Sequence, residues 1–269
     1  MNKIFYILLI TVLFSSCSEY QKAIKSDDLT VKAKLANDLF EKGKYKKAIT
    51  LFEQVSPSMK GKPNAERMFY MLAKSYYETE QYYLAGYAFE SFASSYPKSD
   101  KREEAAFLGA KSFYTKSPRY SLDQTDTYKA LDKLQSFIDN YPQSDYLPMA
   151  NVLVKELTDK LEKKAFEIAK QYNKTAEYYR DFEAPLKTLD IFLSEYPGTK
   201  YKEDALYYKF DTLFRHAMNS IESKKQERLN NAKVAYNTLL KFKSDTKFKE
   251  QADKQLAQLE QELTQYSNN

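Results

Sequence analysis

Three prolines directly follow tyrosines, in "YPKSD" at Tyr96–Asp100, "YPQSD" at Tyr141–Asp145 and "YPGTK" at Tyr196–Lys200. Each is followed within two residues by Ser or Thr, in a chain with only eight prolines. Proline lacks an N–H and drives the residue before it out of the helical region. A hydroxyl two residues later is placed to cap a following helix, and Glu103 lies in the first turn after Ser99. Each motif therefore reads as a helix stop followed by a helix start. Five glycines and no tryptophan in 269 residues, with 24 Tyr and 17 Phe, favour helices packed through rings over a sheet.

The residues before the first junction repeat an earlier pattern. From Ala36, Tyr45, Ala48, Phe52 and Val55 follow at +9, +12, +16 and +19, and from Ala73 the same offsets give Tyr82, Ala85, Phe89 and Phe92. Gly43, at +7, suits a left-handed turn. The spacing resembles the tetratricopeptide repeat, a helix–turn–helix unit of about 34 residues. Small alanines let the two helices of a unit cross closely, and the rings fill the space to the next unit. Two later copies depart from this: residues 116–127 read as an inserted loop with Asp123 or Asp126 as cap, and Pro185 replaces the small residue in the fourth unit. One long helix is expected from about Asp145 to Arg180, another over 201–223, and a terminal capping helix over 246–266. The fold expected is all-α: a superhelical solenoid of about five helical hairpins with a C-terminal capping helix.

The chain opens "MNKIFYILLITVLFSSC", with Lys3, an apolar run from Ile4 to Phe14, small residues, and the only cysteine, Cys17. The run is too short to span a bilayer and has the order of a secretory signal. A lone cysteine at the cut site resembles a bacterial lipoprotein box, with Phe14 where leucine is usual and Leu13 one residue earlier. Cys17 then becomes the first mature residue and carries acyl chains. The organisation expected is a cleaved signal over 1–16, a lipidated tether over 17–25, N-terminal repeats over 26–143 and C-terminal repeats with the cap over 144–269.

Lipoprotein box, helical pairs, Tyr-Pro junctions, long central helix and "AEYY" at Ala176–Tyr179 together resemble the BamD (YfiO) family, lipoprotein subunits of the outer-membrane β-barrel assembly machinery. The resemblance implies a lipid-anchored place on the periplasmic face of a Gram-negative outer membrane. It implies a C-terminal half that docks on the barrel subunit alongside accessory lipoproteins, and N-terminal repeats that receive unfolded β-barrel substrates. The first helix of each unit lines the concave side of such a solenoid. Arg67, Tyr70, Lys74 and Tyr77 share one face of theirs at i, i+3, i+7 and i+10, and Asn37 and Phe40 stand at equivalent places one unit earlier. A substrate tail ending in a ring and a carboxylate would use an aromatic shelf and a cation there; the same rings also suit packing.

Enzyme chemistry has little to build on. His216 is the only histidine, without a cysteine or histidine to complete a metal site, and no Gly-rich phosphate loop exists. Glu103 and Glu104 are neighbours on a helix and do not face each other. The 42 basic and 37 acidic residues are interspersed, which is a solvated surface and not a nucleic-acid footprint. No cofactor is expected beyond the acyl chains at Cys17. Alternatives are a repeat lipoprotein of a division or nutrient-uptake complex, or a carboxylate-based cell-wall hydrolase.

Overall fold

The structure, a computed structural model, describes residues 19–267. The expected signal over 1–16 and Cys17 lie outside the described residues. Those described form helices joined by short turns, without a strand. After α1 (19–25), the helices pair as α2 (Leu29–Glu41) with α3 (Tyr45–Met59), α4 (Ala65–Glu78) with α5 (Tyr82–Ser95), α6 (Arg102–Lys116) with α7 (Thr125–Asn140), α8 (Leu147–Tyr179) with α9 (Glu183–Glu195), and α10 (Lys202–Met218) with α11 (Glu222–Phe242). α12 (Lys249–Ser267) follows. This is the expected set of five hairpins and a terminal helix. The chain divides into two compact units, one ending at Leu157 and the other starting at Thr158, so the division falls inside α8.

In the first, second and fourth hairpins the chain reverses through a left-handed residue. Gly43 has φ +68°, and Glu80 and Arg180 take φ 61° and 54° at the corresponding turns. The hydrogen bonds around them repeat. The residue after each donates back to a carbonyl five residues earlier: Lys44 to Leu39, Gln81 to Tyr76 and Asp181 to Ala176, at 2.8, 2.9 and 3.0 Å. This closes the first helix with the Schellman pattern. Ala36, Ala48, Ala73 and Ala85 are fully buried where the paired helices meet, and Phe52, Val55, Phe89 and Phe92 fill the core beside them.

Between hairpins the Tyr-Pro motif works as a mechanical joint. The Tyr N–H of 96, 141 and 196 caps the ended helix by donating to the carbonyl of Phe92, Phe137 and Phe192 at 2.9–3.0 Å. The tyrosine ring lies against that same phenylalanine, with centroids 5.2, 5.2 and 5.5 Å apart. Ser99, Ser144 and Thr199 then accept through their hydroxyls from the N–H of Lys101, Tyr146 and Tyr201 at 3.0–3.1 Å. These bonds span two residues, so the hydroxyl sets a turn just ahead of the next helix and does not sit at the N-cap itself.

Before α12 the same joint recurs without Tyr or Pro: Lys243 N–H donates to Leu239, and Thr246 accepts from Phe248 N–H at 3.3 Å. The side chain five residues after the start of every joint rests on a ring of the preceding hairpin's first helix. Lys101 lies over Tyr70, Tyr146 stacks on Phe107, Tyr201 on Phe166 and Phe248 on Tyr207, with the three stacks at 4.8, 4.4 and 4.0 Å.

Three expectations need adjustment. Residues 19–25, read as tether, are helical, with Ala23 2% exposed in the core and Tyr20 and Ile24 packed beside it. The loop of the third unit is shorter than 116–127, because α6 runs through Lys116 and α7 begins at Thr125. Gln124, nearly buried, donates from its amide to the carbonyls of Arg119 and Leu122, and Asp123 accepts from Thr125 N–H, so the turn is folded tightly against α7. The helix expected over 201–223 stops at Met218. Ile221 is extended, and Ser220 accepts from Arg228 at 2.7 Å across the break.

The second and third hairpins meet through bare backbone. A Cβ on Gly86 would stand 2.7 Å from Phe113 Cε2, and one on Gly109 would stand 3.3 Å from Phe89 Cβ. Replacing Gly86 with alanine should therefore cost about 1–3 kcal/mol in urea denaturation, the usual penalty of overpacking. The Phe113→Leu background should recover part of it as a non-additive term.

Candidate functional site

The residues singled out on α2 and α4 divide into two groups. Asn37 and Arg67 line one cavity of about 430 Å³ between α2, the α3–α4 turn and the start of α4. Its floor is apolar (Leu29, Ala33, Met59, Met68), and Lys62 adds a second cation at the rim. Arg67 donates to Glu41 at 3.1 Å, but both side chains are more than 60% exposed. A pair so placed is worth little and opens readily to a competing carboxylate.

Tyr70, Lys74, Tyr77 and Phe40 are not lining residues of this cavity. Tyr70 packs edge-on against Phe89 and Phe92 at 6.1 and 5.5 Å and donates its hydroxyl to Glu104 at 2.7 Å. Burial, then the Glu104 hydrogen bond, pushes its phenol well above the ordinary range. Burial opposes ionisation of Glu104 too, but hydrogen bonds from Lys101 and Tyr70 outweigh it and hold the carboxyl below its usual value. Tyr77 packs on Tyr82 and Phe89, with Lys74 over its ring at 5.4 Å and Lys74 also paired to Glu78 at 3.2 Å. Phe40 meets Tyr45 edge-on at 5.4 Å. Tyr70 occupies the place that Phe107, Phe166 and Tyr207 fill in later hairpins, so its ring serves the stack. The cavity floor supplied by Met59 and Met68 was not anticipated, because it depends on how the α3–α4 turn folds back.

Two further arrangements organise the molecule. The first-turn glutamate after one joint grips the next joint: Glu103 accepts from the Ser144 hydroxyl at 2.5 Å, and Glu203 from the Thr246 hydroxyl at 2.7 Å. Glu203 also accepts from Lys247 N–H and Lys243 Nζ at 2.8 and 2.9 Å. In the second unit, Asn173 stands among the helices with its amide donating to Asp211 and Thr212, both at 2.9 Å. Asp211 is held in turn by Arg215 at 2.7 Å and Gln255 at 2.8 Å, which ties α8, α10 and α12 together. His216 sits half-buried with its ring stacked on Phe182 at 5.1 Å; burial, then Arg228, lowers its pKa. Among the described residues no cluster of three or more metal-ligating side chains occurs, and no helix is long and apolar enough to cross a membrane.

The sequence profile of a family described as "YfiO: Outer membrane lipoprotein" matches residues 33–183, from α2 to the start of α9. The chain belongs to the YfiO family. Among its relatives are the outer membrane protein assembly factor BamD of Caulobacter vibrioides, 22% identical over 200 residues, and a putative BamD of Aquifex aeolicus, 25% identical over 171 residues. These matches cover 74% and 63% of this chain, and the chain spans only 63% and 52% of those relatives. Two solved structures of a putative Podosopora anserina kinesin light chain with TPR-like repeats cover 82% and 81% of this chain and 98% and 99% of their own, at 13% and 14% identity. Their TM-score of 0.31 carries no weight here, and the YfiO-family fold rests on the hairpins themselves.

The grip of Glu203 has a measurable consequence. Hydrogen bonds from Thr246 and Lys243 depress its pKa to about 2, from an ordinary value of 4.5. The stabilisation is complete above pH 4.5 and is lost as pH falls through about 2, because the unfolded chain binds the proton more readily in that window. Glu203→Gln should therefore be destabilised relative to the parent at pH 6, and the gap between the two urea midpoints should shrink by pH 3.

Proposed function

We propose that the chain is a lipid-anchored, non-enzymatic assembly factor for β-barrel proteins of the outer membrane. The observation that carries this reading is membership of an outer-membrane lipoprotein family across α2 to α9, joined to relatives named as barrel-assembly factors. The chemistry agrees. Stacked hairpins expose long helix faces and recesses, which suit gripping protein segments and need no reactive group. The start of the sequence supports acylation of Cys17, and three acyl chains there make stable anchoring, where a single chain is marginal.

In this reading the cavity beside Asn37 and Arg67 receives the end of an unfolded barrel substrate. The apolar floor takes a side chain, and Arg67 and Lys62 take the carboxylate. Tyr70 and Tyr77 take no part, since their rings are engaged in packing on Phe89. Residues 144–269 serve as the half that docks on the barrel subunit and accessory lipoproteins.

Capture of the acylated protein from intact outer membrane tests the main reading. The barrel-assembly subunit should co-purify, and depletion should lower many outer-membrane barrels together. Capture of division or uptake proteins alone would overturn it, as would muropeptide release from purified cell wall. For the cavity, Arg67→Glu should weaken binding of a peptide ending in an aromatic residue at least tenfold, and Tyr70→Phe should leave it unchanged; unaltered affinity in a folded Arg67→Glu variant would refute the assignment.

A further inference from the structure

The first helix leaves the anchor almost no slack. Glu19 already belongs to α1, and only Ser18 separates it from Cys17. Two chain steps reach at most about 7 Å. α1 is itself fixed: Ala23 is buried, and Tyr20 and Ile24 pack on the core of the first unit. Lys47 Nζ stands over the Tyr20 ring at 5.0 Å, so the start of α1 lies beside the turn between α2 and α3.

That turn is rich in cations. Lys42, Lys44, Lys46 and Lys47 fall within six residues, and the first three are exposed. None of those three has an ion pair among the described residues. Two of the acidic groups around them are paired, Glu41 only loosely. Glu41 pairs with Arg67 at 3.1 Å and Glu78 with Lys74 at 3.2 Å. Glu80 lines the same recess as Lys44, Lys46 and Lys47, and Glu19 stands at the start of α1. Four ammonium groups thus stand near three carboxylates not held by a cation, Glu80, Glu19 and Asp38.

We infer that the α2–α3 turn is a membrane-contact edge that seats on anionic lipid headgroups. The inference rests on acylation of Cys17, because the acyl chains hold the start of α1, and with it the edge that Lys47 joins to Tyr20, near the headgroup layer. Exposed lysines held at an anionic surface each favour contact by about fivefold, and the attraction decays within a Debye length. The short connection and the contact of Lys47 with Tyr20 keep this edge close to the anchor. Anchor and basic edge together act as the two signals that fix a peripheral protein and also set its orientation.

The test uses the mature acylated chain, with its intact mass measured first. It is reconstituted on vesicles of phosphatidylglycerol and phosphatidylethanolamine, on phosphatidylcholine vesicles, and in detergent. Amine-reactive labelling is read residue by residue by mass spectrometry. Lys42, Lys44 and Lys46 should label at least threefold more slowly on the anionic vesicles than on the zwitterionic ones, and 0.5 M salt should abolish the difference. Lys254, exposed on α12, should label equally throughout. In K42E/K44E/K46E, with an unchanged helical spectrum, protection of neighbouring Lys47 should fall to the detergent level. Equal labelling on both vesicle types would overturn the inference and leave the anchor intact. Protection that appears only when partner subunits are added would overturn it in favour of a protein surface. A mature chain without acyl chains would remove the anchor and the inference together.

Discussion

The structure depends on one contact repeated four times: a side chain just past each joint lying on a ring of the hairpin before it. Tyr146 on Phe107, Tyr201 on Phe166 and Phe248 on Tyr207 are near-parallel stacks, and Lys101 over Tyr70 is the cationic version. Each such contact is worth about 0.5–1.5 kcal/mol beyond the area it buries. Its larger effect is geometric, because a stacked ring fixes how the incoming helix is set against the outgoing one. The hydroxyl turn and the carboxylates of Glu103 and Glu203 then hold the backbone on which that ring is carried.

Much of this was legible in the sequence. Proline after tyrosine announced the joints, and the alanine and phenylalanine offsets announced the hairpins, because both depend on local sterics and on the helical period. What escaped reading depends on contacts between distant residues. The joint before α12 has neither Tyr nor Pro; the sequence placed the break, but not the stack of Phe248 on Tyr207 that closes it. The end of α10 at Met218 has no proline or glycine and is held by Arg228 reaching Ser220. Glu80 and Arg180 take left-handed turns that glycine alone would have advertised. The packed helix at residues 19–25 looked like a polar tether, since three of its seven residues are charged and its few apolar side chains find their partners only in the fold.

The candidate site was legible in part. Asn37 and Arg67 do share a cavity, as the repeat register implied. Tyr70 and Tyr77 share a helix face with Arg67, but a face is broader than a cavity, and their rings turn to Phe89 of the paired helix. Periodicity gives the direction in which a residue leaves its helix. It does not say whether a ring there meets solvent or a neighbour, and in a chain so rich in aromatic residues the neighbour wins.

The glycine contact between α5 and α6 bears on how the first unit deforms. Elsewhere helices meet through side chains, which can exchange rotamers and let two hairpins tilt by small steps. Gly86 and Gly109 offer no such freedom, since backbone lies against Phe113 and Phe89 without an intervening methyl group. The second and third hairpins are therefore set close together, with no room for a side chain between them at these two points. The contact between the first hairpin and the second carries no such glycine pair, and that is where the Asn37 and Arg67 cavity opens.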